Sequence, residues 1–106
     1  MPAHTVIVVY RPKPGQERAT LELLRRHMDV LRPGGYVTGY PETLLREAGG
    51  AIVEVFEWAS SDVLERAHAD PAIQAYWKEV EMVCDYATLG SLDQADSLFA
   101  HFERIS

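Results

Sequence analysis

The stretch Ala51–Cys84, AIVEVFEWASSDVLERAHADPAIQAYWKEVEMVC, decides the fold. It opens on a strand, AIVEVFEW, rich in β-branched and aromatic residues. Ile52, Glu54, Phe56 and Trp58 share one face of that strand; Ala51, Val53, Val55 and Glu57 share the other. Ser60 or Ser61 is placed to N-cap a short helix running to about Ala69. Asp70-Pro71 then restarts the helix, with Asp as cap and Pro at the first helical position. Ile73, Trp77, Val80 and Cys84 form its apolar stripe, with Ala72, Tyr76 and Val83 beside it. A further strand is expected around Asp85–Leu89.

Upstream, Thr5–Arg11 (TVIVVYR) reads as a strand ended by Pro12, Pro14 and Gly15. Val6, Val8 and Tyr10 point one way and Ile7 and Val9 the other, so both of its faces are apolar. Gln16–Leu31 is expected to be a helix, with Leu21, Leu24, Met28 and Leu31 on one stripe, ended by Pro33-Gly34-Gly35. Tyr36–Leu45 reads as a second strand, interrupted by Gly39 and Pro41. Pro41 lacks a ladder donor and implies an edge or a bulge. After the Gly49-Gly50 turn, this run and Ala51–Trp58 should pair antiparallel. In the tail, Ser91 with Gln94 fits a capping box for a short helix from Leu92. Leu98–Ile105 either continues that helix or extends along a neighbouring subunit.

At 106 residues the chain is long enough for one core, so residues 1–106 are read as a single domain with 90–106 as a C-terminal extension. Ten Lys and Arg against 16 Asp and Glu give a net charge of −6 with no basic block, which argues against nucleic acid or an anionic membrane as partner. One cysteine, Cys84, excludes an internal disulfide and points to a reducing, cytoplasmic setting. No signal peptide or membrane-length apolar run is visible.

The order strand, helix, strand, strand, helix pair, strand fits a ferredoxin-like α+β fold: a four-stranded antiparallel sheet with helices on one face. Helices cover only one side of such a sheet. The apolar residues on the other side imply a second copy packed sheet against sheet.

Val6–Glu17 (VIVVYRPKPGQE) and Val53–Trp77 (VEVFEWASSDVLERAHADPAIQAYW) make the chain resemble the dimeric α/β-barrel superfamily, in its antibiotic-biosynthesis-monooxygenase-like branch. The resemblance spans nearly everything but the tail. It implies a homodimer, each subunit with a small-molecule pocket between sheet and helices. The implied chemistry is cofactor-free oxygenation of a small aromatic or quinol-like compound. A non-catalytic, stress-related binder and an isomerase or lyase on a small carbonyl compound are the alternatives.

Haem-degrading members of the branch carry a His ligand, a Trp and an Asn at motif positions occupied here by Trp77, Ala67 and Val8 or Val9. Indole offers iron no lone pair, so no haem is expected. His4, His27, His68 and His101 are scattered, and no metal ligand set is legible.

His68, near the inner edge of the first helix of the pair, is a candidate proton carrier; the competing reading is a helix-end histidine bonded to a carbonyl or to Asp70. Glu54 is a carboxylate in mid-strand among apolar neighbours. On the helix side it would be a pocket base; at a dimer seam it would bond an Arg or Tyr of the other subunit, and Glu57 would take the role it leaves. Tyr10, Phe56, Trp58, Tyr76, Trp77 and Tyr86 are the rings expected to line a flat ligand slot, unless they are only core. Cys84 reads as a buried, inert thiol.

Overall fold

The computed structural model describes residues 2–106. Its elements run β1 (His4–Pro12), α1 (Glu17–Arg25), α2 (His27–Leu31), β2 (Thr43–Arg46), β3 (Ile52–Trp58), α3 (Val63–Ala69), α4 (Pro71–Val83), β4 (Cys84–Ala87) and β5 (Glu103–Arg104). The sheet order is β4-β1-β3-β2-β5, antiparallel at every pairing. The first four strands have the ferredoxin-like arrangement. β5 is an addition, and it corrects the expectation of four strands.

The side-chain parity of β1 and β3 sets the two faces. Val6 and Val8 pair with Phe56 and Glu54. With Tyr10, Ile52 and Trp58 they pack under the helices, against Leu24, Met28, Leu31, Ile73, Tyr76 and Val80. All four residues of the first helical stripe (Leu21, Leu24, Met28 and Leu31) are buried. The helix itself is split. At Arg26 the N–H bonds back three residues to the Leu23 carbonyl at 3.1 Å, and α2 starts at His27. Gly35, at φ 72°, closes the turn after Leu31 in the left-handed conformation glycine allows.

The helix pair follows the sequence at one junction and departs from it at the other. Asp70 caps α4, its Oδ1 accepting from the Ala72 N–H at 2.9 Å, with Pro71 in the first turn. Asp70 also accepts from the Tyr36 hydroxyl at 2.8 Å, tying the helix junction to the loop before β2. α3 starts after Asp62, not Ser60 or Ser61, and no side chain caps it. Cys84 begins β4 instead of ending α4.

Tyr36–Leu45 is not one strand. Val37 makes an isolated bridge to Trp58, and regular pairing resumes only at Thr43, beyond Pro41. Because β5 adds on, β2 is not an edge strand.

The tail does not form the helix expected from Leu92. It folds over the helix-free face, where Leu92 and Phe102 pack with Val9, Ala51, Val53, Leu45, Val55 and Ala87. Buried Glu47 holds it, Oε2 accepting from the Gln94 N–H at 3.1 Å. Arg46 reaches Glu103 at 2.9 Å, and the Leu44 carbonyl accepts from Ile105 N–H at 2.8 Å. Part of the apolar surface that implied a second copy is therefore covered from within the chain. Ile7, 48% exposed, and Tyr40, 71% exposed, stay open to solvent. Among the described residues, no helix is long and apolar enough to cross a membrane.

Candidate functional site

The site is built around Glu54, in the middle of β3 and fully buried on the helix side. Leu44 and Val8 flank it on the neighbouring strands, which excludes water. An isolated carboxylate there would be costly, so it must be paired. Tyr10, on β1, donates its hydroxyl to Oε1 at 2.6 Å. His27, the first residue of α2, meets Oε2 through Nδ1 at 2.8 Å. Burial works against the Glu54 charge, but the His27 contact, aided by hydrogen bonds from Glu42 and then Tyr10, outweighs it and the carboxyl lies below its usual range. Tyr10 moves the opposite way: burial, then the Glu54 charge, raise its hydroxyl well above the ordinary tyrosine range.

His27 is sandwiched. Its ring stacks on Tyr76 at 5.0 Å and 14°, and meets Phe56 edge-on at 5.2 Å. Tyr76 is fixed in turn by its hydroxyl, donated to the Leu23 carbonyl at 2.6 Å. With Nδ1 engaged by Glu54, the other nitrogen, Nε2, is buried without a hydrogen-bond partner. A carboxylate on Nδ1 selects the tautomer whose lone pair is on Nε2.

His27 also lines a cavity of about 300 Å³, together with Val8, Tyr10, Phe56, Trp58, His68, Trp77, Glu81 and Tyr86. Five of the six rings named from sequence are on its wall. Tyr76 is not; it backs His27. His68 is exposed and lies against Trp77, edge-on at 5.0 Å, with neither a carbonyl nor Asp70 as side-chain partner. Tyr86, tilted 5.5 Å from Tyr10, sits beside it with its hydroxyl pushed up to about 12 by burial. Among the described residues, no Lys or Arg lines the cavity.

Glu42, in the segment between Val37 and β2, completes the group. Donor atoms of His27, Glu42 and Glu54 all lie within 4.8 Å of one another. The fold thus assembles three metal-competent side chains that look unrelated along the chain. Tyr10 and His27 satisfy the two Glu54 oxygens, while Glu42 receives neither of those donors. Burial, and then Glu54, push the Glu42 carboxyl up to about 9.

Sequence reasoning missed His27 and Glu42. His27 had a readable signal: it is three residues after Leu24 and four before Leu31, on the apolar stripe itself. Glu42 had none. Glu57 faces the other side and bonds Thr38 of its own chain at 2.7 Å. Cys84 is buried, its thiol donating to the Val80 carbonyl at 3.3 Å and raised to about 11 by burial.

Together these features define a ferredoxin-like α+β protomer with an imidazole–carboxylate pair at the base of an aromatic cavity. Among solved structures it is similar to SnoaB, a cofactor-independent oxygenase from Streptomyces nogalater, with TM-score 0.67 and 18% identity over 82% of this chain and 88% of that one. A variant of SnoaB gives TM-score 0.69 and 17% identity at the same coverage. The likeness agrees with the mixed α+β protomer expected from the resemblance. At this identity the likeness defines the fold alone. No family profile matches the chain, and no curated protein sequence does.

Proposed function

We propose that the protein is a cofactor-free oxygenase for a small, planar aromatic or quinol-like compound. The observation that carries this reading is the buried His27–Glu54 pair, with His27 Nε2 free of protein partners in a residue that lines the cavity. The fold of SnoaB, itself a cofactor-independent oxygenase, supports it.

In this reading His27 Nε2 removes a proton from the substrate, and Glu54 stabilises the imidazolium that forms. The carbanion or phenolate transfers an electron to O₂, and the radicals combine to a peroxide anion. That anion recovers the proton from His27 as a hydroperoxide. Loss of the second hydrogen from the same carbon, with O–O cleavage, gives a ketone and water, so CH₂ + O₂ becomes C=O + H₂O. The aromatic walls hold the ring flat and keep water out. Glu54 acts by positioning the base, and His68 serves as a proton carrier at the cavity wall. No metal or prosthetic group takes part. A second copy packs on the part of the sheet left open around Ile7 and Tyr40.

The test is O₂ consumption by the purified protein with a panel of anthrones, naphthols and hydroquinones, with chelator present. Uptake is expected, and His27→Ala is expected to lower kcat at least a hundredfold, the usual contribution of a general base. Binding without uptake anywhere in the panel would replace this reading with that of a ligand-binding protein.

A further inference from the structure

The second carboxyl of the cluster has no part in the chemistry above, yet its place beside Glu54 has a consequence for the base. Two carboxyl groups and one imidazole share a space in which their donor atoms lie within 4.8 Å. In a poorly solvated site two carboxylates this close do not both stay ionised. The hydrogen bonds decide which keeps its charge. Glu54 receives the Tyr10 hydroxyl and the His27 N–H. Glu42 Oε2 is buried and receives no N–H or O–H donor, and its carboxyl is a hydrogen-bond neighbour of Glu54. The other charges near Glu42 are Arg32, which favours its ionised form, and Asp29, which opposes it; those two lie on the surface, 4.0 Å apart. Tyr10 and Tyr76, the remaining titratable neighbours of the cluster, are neutral.

We propose that Glu42 is a positioning residue of the base: it stands beside Glu54 as an uncharged carboxylic acid, so a single negative charge faces His27. This inference rests on the oxygenase reading for its kinetic meaning, not for its charge state. One carboxylate orients the imidazole and leaves Nε2 with its lone pair. A second carboxylate would put two negative charges in one poorly solvated space and compete with Glu54 for the single N–H at Nδ1. The base therefore works only while Glu42 keeps its proton. Its direction of titration agrees, since burial and Glu54 both raise it.

Two measurements test this. The first needs no substrate: carboxyl carbon NMR of the intact protein labelled at glutamate, assigned with Glu42→Gln. One carboxyl, absent from the variant, should be neutral at pH 7 and titrate several units above the ordinary glutamate range. A Glu42 carboxyl ionised at pH 7 overturns the proposal, as does a tightly held metal ion whose removal shifts it. The second is kinetic. Glu42→Leu should lower kcat roughly tenfold, as loss of a group that orients a reacting one does, with KM unchanged. Glu42→Gln, which restores a neutral hydrogen-bonding group, should recover most of that loss. Wild type should lose activity as Glu42 ionises, and Glu42→Gln should not; the same alkaline fall in both overturns the role. If no substrate is turned over, the oxygenase reading fails and the NMR titration still decides Glu42.

Discussion

His27 Nδ1 stands 2.8 Å from Glu54 Oε2, although the two residues are 27 positions apart in the chain and both are buried. Neither neighbourhood in sequence announces the other. A helix start and the centre of a strand meet because β1 and β3 pair in one register, and α1 lays α2 across them.

Removing that carboxylate should be costly. Glu54→Ala leaves the Tyr10 hydroxyl and the His27 N–H buried without an acceptor, at about 1–3 kcal/mol for each group. A loss of about 3 kcal/mol in urea unfolding is expected. Tyr10→Phe, which frees only Oε1, should lose about half as much. Equal losses would mean that the two contacts to Glu54 are not separate.

Glu42 predicts a slope of stability against pH. Its carboxyl in the folded protein is raised from the ordinary range to about 9, so the folded state binds this proton more tightly than the unfolded chain. The stabilisation is complete below the ordinary glutamate pKa and is lost progressively as pH rises to about 9. Tm should fall across that window in wild type and less so in Glu42→Gln. Glu54 contributes in the opposite sense: its carboxyl is lowered, so its stabilisation is lost on acidification through its folded pKa.

The tail should behave as part of the core. Leu92 is buried against Val9, Ala51 and Val53, and Leu92→Ala should cost about 2 kcal/mol, near the low end for a buried leucine. Glu47→Ala should loosen the same segment by removing the acceptor of the Gln94 N–H. Faster amide exchange confined to residues 90–106 would mark that loosening.

Cys84 should be slow to react with a disulfide reagent at pH 8 in the native state, because its thiol is buried and raised to about 11. Labelling should become fast on addition of urea. Rapid native labelling would show that α4 and β4 open readily.

The layered architecture could be read from residue pattern because β1 and β3 carry apolar side chains on both faces and Asp70-Pro71 marks a helix start by local chemistry alone. The cavity's rings were legible for the same reason: parity fixes where Tyr10, Phe56 and Trp58 point. His27 was obscured by sitting among leucines, where a histidine looks like an interruption. Glu42 and β5 could not be read at all. Glu42 lies outside regular structure, and β5 is two charged residues, Glu103 and Arg104, whose strand conformation comes from β2 and not from their own propensity. The second apolar face was expected to be covered by a second copy, and part of its cover is the chain's own tail.

The sheet ends on one side in those two charged residues and on the other in the four of β4. At the β5 margin there is no long, flat rail of unpaired N–H and C=O groups on which a foreign strand could lengthen the sheet. Association by strand addition, the route to fibrils and to exchanged strands, is thereby discouraged at that border and confined to the β4 side, where residues 4–8 of β1 pair only with β3.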